Sequence, residues 1–402
     1  MKQTPPNQTR VFITGRSVIA AGVNSIDDVW NALLCDECLA APSPSNESLQ
    51  NKAALEGSDS FILARHQLLA LAVTEQAWRE AGLSDLRNRL RGEGSKHRNP
   101  RIGCVSGSSA GGLAAMESEK RHGGSCKLSP YAMSRWRGNS LAAAVTLRFG
   151  LGACDFSINA ASGTGAQLAF LAGSLIRWGL ADAIVAVAAD PELTPCLLEA
   201  MMSTRSVAKG KDSRPLNAQR GGMKPSEGAA CVIFESEEHV TARGGEPIAE
   251  WLCGATANES HHFLAPDEEA AVLEELLRTC LGNDHLAGKK ADWISLHATG
   301  TPRFDAVEIA CIKRVFASGL PWLSAMKRTT GHALGASGLI EAAMLAEGLH
   351  KEALPSWPMN TDPALELYSL KPQPPPLPQL ALQIGQGMGG VVVVNAYGAI
   401  KN

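Results

Sequence analysis

Residues 293–316 read WISLHATGTPRFDAVEIACIKRVF. An apolar run, WISL, stops at His297, and small hydroxyl and glycine residues lead to Pro302. Proline suits the first turn of a helix, where its missing N–H would have no partner anyway. Beyond it, Asp305 and Glu308 stand three apart and so share one helix face. The stretch is read as a strand, a tight turn and a helix, with a histidine at the strand's carboxyl end. That is where α/β proteins place ligands. On these residues alone, a plain strand-to-helix turn capped by its threonines explains the pattern as well.

The same alternation runs through the chain. Short β-branched or apolar runs at 11–14, 102–106, 183–188, 230–234, 293–296 and 391–395 read as buried strands. Helical patterns at 25–34, 64–81, 161–179, 267–280, 305–317 and 335–349 lie between several of them. Together they predict an α/β fold with sheets covered on both faces. With 402 residues the chain exceeds what one core usually serves, so two halves are expected, 10–243 and 246–400. No short-period repeat is visible. Residues 35–57, rich in Ser, Asn, Ala and Pro, read as a surface wrap and 89–100 as a charged loop. The proline-rich KPQPPPLPQ at 371–379 reads as an extended connector.

Composition narrows the class. A formal charge of −3, with 45% hydrophobic and 19% charged residues, leaves no basic excess for a nucleic-acid surface. The longest apolar runs are strand-length, so no membrane span is expected. The opening MKQTPPNQTR has no apolar stretch of a secretory signal, and the expected location is cytoplasmic. Ten cysteines without a framework spacing suit a reducing compartment. Cys35 and Cys38 form a CxxC with no second ligand pair to complete a zinc site, and His261-His262 reads as loop, so no metal is expected.

Two further segments could carry chemistry. Lys327-Arg-Thr-Thr-Gly-His332 runs into ALGASG, small residues that let a helix approach other backbone closely. Lys327 and His332 would then stand at the helix entrance, able to act on a carbonyl or carboxylate. Residues 385–390, GQGMGG, form a glycine-rich loop before the strand VVVVN; no helix follows, so it is not a phosphate-binding fingerprint.

These segments together resemble a known family. HATGTPRFDAVEIACIKRVF is similar to the β-ketoacyl-acyl-carrier-protein synthase pattern HGTxTPxxDxxExxAIKxVF, and SAMKRTTGHALGASGLIEAAMLA to its KSxxGHxxGAAGxxEA. RVFITGRSVIAAGVNSIDDVWNALL resembles its opening strand, turn and helix. SRPLNAQRGGMKPSEGAACVIFE resembles SRPFDxxRDGFxxGEGAGxxxLE, with Gly221 where aspartate is usual. The resemblance covers nearly the whole chain and implies a thiolase-like fold: two similar layered α/β halves, αβαβα, usually assembled as a dimer.

In that family a cysteine at a helix's amino end attacks an acyl thioester, and two histidines promote loss of carbon dioxide from a malonyl thioester. The resemblance assigns those histidines to His297 and His332, and the lysine that supports the second to Lys327. It assigns contacts with the phosphopantetheine arm to Thr299 and Thr301, and an orienting acidic pair to Asp305 and Glu308. The nucleophile is expected within 158–164, INAASGT, aligned with the family's TACA(S/T)G. Ala160 then stands at the cysteine's place, and a methyl group forms no thioester. Ser162, two residues on, would point about 200° away at roughly 100° per residue. Cys154 lies before the strand and is expected to be packed. In the glycine loop, Gln386 and Met388 replace the aromatics of a GFGFGG-like pattern, the first of which gates the acyl pocket.

Three functions follow from the resemblance: a chain-length-factor-like partner of a cysteine-bearing synthase, a malonyl-carrier-protein decarboxylase, or an ordinary synthase in which alanine was introduced. All three need an acyl carrier protein, which brings the phosphopantetheine arm, so no separate cofactor is expected. A homo- or heterodimer with a cysteine-bearing ketosynthase is expected as well. An acidic carrier calls for a basic patch, for which Arg135, Arg137, Arg205, Lys209, Lys211 and Arg214 are candidates.

Overall fold

The computed structural model describes residues 9–55, 62–84, 98–120, 128–210 and 213–400. Residues 89–97 of the expected charged loop, 56–57 of the expected wrap, and Lys211 lie outside the described residues. The described strands are β1 (Val11–Ala20), β2 (Ile102–Gly107), β3 (Asp155–Ile158), β4 (Ala183–Asp190), β5 (Gly228–Ser236), β6 (Ala249–Asn258), β7 (Trp293–Ser295), β8 (Trp322–Ser324), β9 (Leu380–Gly387) and β10 (Val391–Ala399). They form one sheet in the order β3-β2-β4-β5-β1-β6-β10-β9-β7-β8.

That order contains a duplication the letters hide. The first five strands run 3-2-4-5-1 inward from one edge, and the second five run 8-7-9-10-6 inward from the other. Adding five to each number of the first series gives the second. The halves join where β1 pairs antiparallel with β6, Val11 opposite Trp251 and Ile13 opposite Ala249.

Alternation decides which residues face which layer. In β5, Ala230, Val232 and Phe234 enter one core cluster, while Ala229, Cys231 and Ile233 enter the other. β4 divides in the same way. The second cluster holds the helices Arg65–Glu80 and Ser140–Phe149 against the outside of the first half. The first cluster joins both halves around two central helices, Thr164–Arg177 and Ser337–His350, which pack on β4 and β5 as well as on β9 and β10. The result is the layered α/β stack expected. No helix among the described residues is long and apolar enough to cross a membrane.

The central helices meet backbone to backbone. A Cβ on Gly165 would lie 2.4 Å from the Leu339 nitrogen, and one on Gly338 would lie 2.3 Å from the Ala166 nitrogen. The small-residue run at 333–338 thus has the packing role its composition implies.

Four strands escape the pattern of apolar runs: β3, β6, β8 and β9. In particular, residues 385–387 of the supposed glycine loop are the end of β9, and only 388–390 form the turn to β10. The expected helix at 161–179 begins at Thr164, because 159–163 form a sharp elbow instead.

A methyl group at Gly338 must push main chain apart, so Gly338→Ala should cost about 1–3 kcal/mol of stability, the range for overpacked cores. Urea unfolding reads this directly, and a loss below about 0.5 kcal/mol would show that the crossing gives way.

Candidate active site

The turn after β7 is held in an uncommon shape. Ala298 has φ 33 and Gly300 φ 85, both left-handed. For alanine this is unfavourable and needs outside support. Glu308 supplies it: its two carboxylate oxygens accept from the N–H groups of His297 (2.7 Å) and Ala298 (2.8 Å). Asp305 accepts from Gly300 (3.0 Å) and, across the core, from Leu216 (2.8 Å). Burial pushes Glu308 up to about 7 and Asp305 up to about 6, and the N–H donors offset part of that shift. Both carboxylates brace backbone.

Lys327 opens a short helix after β8. Its ammonium donates to the carbonyl of His297 (2.6 Å) and to the carboxylate of Glu341 on the central helix. The expectation tied this lysine to His332; its hydrogen bonds tie it to the turn of His297. Lys327 and Glu341 are both buried, and burial raises the Glu341 pKa against the opposing effect of Lys327.

His332 follows Gly331 (φ 69) at the entrance to the same central helix. Its Nδ1 accepts from the Leu334 N–H at 3.0 Å, so in the neutral ring the proton lies on Nε2. That Nε2 is buried and has no hydrogen-bond partner. The rings of His297 and His332 stand edge to face with centroids 6.1 Å apart. Burial first, then the Lys327 charge, lowers both pKa values: His332 to about 3, and His297 well below the usual range. Both rings are therefore neutral hydrogen-bonding groups in a buried site, suited to stabilise an oxyanion or enolate.

The elbow after β3 approaches from the other half. The Thr164 hydroxyl accepts from the Ala160 N–H (2.9 Å) and donates to the Ala161 carbonyl (2.7 Å). Between them Ala161 takes φ 48. The cavity in front of the elbow is lined by Ser162, Arg205, Met223, Leu264, His297, Thr299, Thr301, Phe304, Gln386 and Met388, among others. Ser162 faces it; Ala160 is not among its lining residues. No described cysteine lines it either.

The structure thus gathers Ser162, His297, Thr299, Thr301, Gln386 and Met388 at one cavity. Lys327 and His332 line an adjoining one that shares Thr299. The Thr299 hydroxyl donates to that of Thr301 at 2.9 Å. Of the basic candidates, Arg205 lines the cavity, whereas Arg135 pairs with Glu119 and Arg214 with Asp36. Sequence reasoning passed over Glu341, whose signal was a lone acid in the apolar run GLIEAAMLA. It also passed over Leu264 and Phe304, which carry no such signal.

Solved structures with this fold include a type II polyketide synthase acyl carrier protein in complex with its ketosynthase bound to the hexaketide. The two share 21% identity with a TM-score of 0.81, over 98% of this chain and 100% of that one. The ishigamide ketosynthase/chain length factor matches at 20% identity and TM-score 0.79, with the same coverages. The fold is thiolase-like. Residues 62–239 match the family described as beta-ketoacyl synthase, N-terminal domain, and residues 249–359 the beta-ketoacyl synthase C-terminal domain. The chain belongs to the β-ketoacyl synthase family. Relatives include the 3-oxoacyl-[acyl-carrier-protein] synthase 2 of Coxiella burnetii, 28% identical over 86% of this chain and 87% of that one. The putative polyketide beta-ketoacyl synthase 1 of Streptomyces halstedii is 26% identical over 95% and 96%.

Burial of the neutral rings has a consequence for stability. An unfolded histidine titrates near about 6.5, so below that pH the unfolded chain takes up protons that the fold refuses. Stability is full above about pH 6.5 and falls as pH drops toward the depressed folded values, by up to about 1.4 kcal/mol per pH unit per ring. His332→Gln should flatten this fall between about pH 7 and 5 by one ring's share. Urea midpoints read the slope in both proteins, and an unchanged slope would mean that His332 is charged in the fold.

Proposed function

We propose that this chain is the partner of a cysteine-bearing β-ketoacyl synthase, in the manner of a chain length factor without a thiol at the nucleophile's place, and that its cavity receives a carrier-bound thioester. The observation that carries this reading is the cavity wall itself. Around His297 it presents hydroxyl, amide, thioether and apolar groups and, among the described residues, no thiol, so covalent acyl transfer has no cysteine to use at this cavity; the exposed Cys38 lines the adjoining one. Thr299 and Thr301 line the path for a phosphopantetheine arm, which enters as part of the carrier protein. Arg205, exposed at the cavity, offers a positive charge to an acidic carrier.

The sheet edges support a partner. At β8 the edge strand is buried, with the Trp322 indole donating to the Pro355 carbonyl and Lys371 over its ring. At β3 the outermost strand exposes Asp155, Phe156 and Ser157, and its outer side pairs with no strand among the described residues. A bare edge is an open template for another chain. A cysteine-bearing paralogue of the same fold would fit it.

The orphaned Nε2–H of His332 favours a second reading, in which the chain decarboxylates malonyl-carrier protein to acetyl-carrier protein. Enolate stabilisation needs the histidines but no nucleophile.

One experiment separates them. The chain is purified alone and with a cysteine-bearing paralogue, given malonyl-carrier protein, and followed by mass spectrometry for carbon dioxide and acetyl-carrier protein. Co-elution with the paralogue and silence alone are expected. Turnover by the isolated chain that His332→Ala abolishes would establish the decarboxylase instead. No complex and no turnover would defeat both.

A further inference from the structure

We propose that Ser162, not Ala160, occupies the position at which this fold presents its acyl-accepting side chain, so that the lost thiol is replaced by a hydroxyl rather than by a methyl group. The inference deepens the reading of the cavity as a thioester site and rests on it.

The pattern TACA(S/T)G fits the elbow in two registers. Set on INAASG, it matches Ala161, Ser162 and Gly163 and puts Ala160 at the cysteine. Set two residues later on AASGTG, it matches Ala161, Thr164 and Gly165 and puts Ser162 there. The letters are even, and the geometry separates them.

Ala160 is committed to backbone architecture. Its N–H donates to Thr164 and its carbonyl accepts from Gly163 at 3.0 Å. That carbonyl also packs against β9, where a Cβ on Gly387 would lie 2.2 Å from it. Ser162 instead stands on the cavity wall beside His297, Gln386 and Met388, one residue before the helix's N-cap at Gly163. Ala161, just ahead of it, takes the left-handed φ of 48. Strain of this kind at a strand-to-helix elbow is what aims a side chain out of the turn. The later register also assigns its final glycine to Gly165, the residue that must be glycine for the central helices to cross. In the earlier register that glycine is Gly163, where the nearest atoms to a Cβ lie at 3.3–3.4 Å, much less crowded than at Gly165.

The hydroxyl does not act as the cysteine would. Both nearby imidazoles are held far below their usual basicity, too weak to take a hydroxyl proton. Ser162 therefore offers a hydrogen bond to the bound thioester and leaves its C–S bond intact. A thiol in the same place would attack. A new C–S bond would form to the cysteine as the pantetheine C–S bond breaks, and the thiol proton would leave with the released pantetheine.

The test uses Ser162→Cys and Ala160→Cys, purified alone or with a co-purifying partner and checked for folding by thermal melting. Each is treated with butyryl-pantetheine and, separately, with iodoacetamide, and the modified residue is located by peptide mass spectrometry. The expected result is one butyryl mass on residue 162 in the first variant and none on residue 160 in the second. Acylation at 160 with none at 162 overturns the assignment and leaves the thioester reading standing. If iodoacetamide alkylates residue 162 but no butyryl group is taken, the thioester reading falls and the assignment falls with it. Because serine and cysteine differ by one atom, the Ser162→Cys result decides even if Ala160→Cys fails to fold.

Discussion

Two glycines set the distance on which the site depends. Gly165 and Gly338 let the two central helices cross with main chain against main chain, and the nearest neighbour of a Cβ at either position is a backbone nitrogen. The elbow that carries Ser162 opens one of these helices, and the turn that carries His332 opens the other. Helix separation therefore sets how closely the two halves can share a substrate. The strands hold the crossing in place from outside. Asn395 donates to the Ala166 carbonyl at 2.9 Å, and Gln383 donates to the Gly338 carbonyl. Gln383 in turn accepts from Tyr397 and Asn395, and the Trp251 indole donates to Asn395 at 3.1 Å. A buried polar network with its members satisfied is rigid and specific in geometry. Here it is spent on one backbone contact.

Around that crossing, burial sets the chemistry. Lys327 carries a charge into the interior, and its bonds go to Glu341 and to the carbonyl of His297. The pair ties the turn after β7 to the second central helix, so one ion pair links two of the loops that build the site. The same ammonium depresses both imidazoles, adding to the larger effect of desolvation. An ionic contact that costs desolvation thus performs two tasks: it fixes a histidine in place, and it keeps that histidine uncharged.

Much of this was legible in the letters, unevenly. His297, Lys327 and His332 stand out because each is a bulky polar residue placed among small ones at a strand or helix end. Strands β1, β2, β4, β5, β7 and β10 were legible because their apolar residues run together. β3 (DFSI), β6 (AEWLCGATAN) and β8 (WLS) were not, because polar or small residues interrupt or bound their apolar runs. β9 was missed for a different reason. Its glutamines and glycines look like a loop, and what makes them a strand is a set of partners on β10, β7 and the central helix that no local pattern contains. The duplication of the halves is likewise a property of strand pairing. The elbow defeated the letters because two alanines beside a serine and two glycines admit two registers. Contacts in space, such as the bond from Ala160 to Thr164, the place of Ser162 on the cavity wall and the crowding at Gly165, tell them apart.

The orphaned donor at His332 bears on what the cavity is for. Asp305 and Glu308 hold backbone and would be needed by the fold whether or not any substrate bound, so their presence says nothing about chemistry. The Nε2–H of His332 is different. It is buried, its ring is fixed through Nδ1, and it meets no acceptor. A buried donor without a partner costs about 1–3 kcal/mol, and an apolar side chain of similar size would not incur that cost. Scaffolding gives no return on it. The cost is recovered only when a molecule with an acceptor oxygen enters, and a thioester carbonyl or the enolate derived from it has such an oxygen. A chain that had become pure architecture would be more stable without this imidazole, so its geometry argues for a cavity that is still visited.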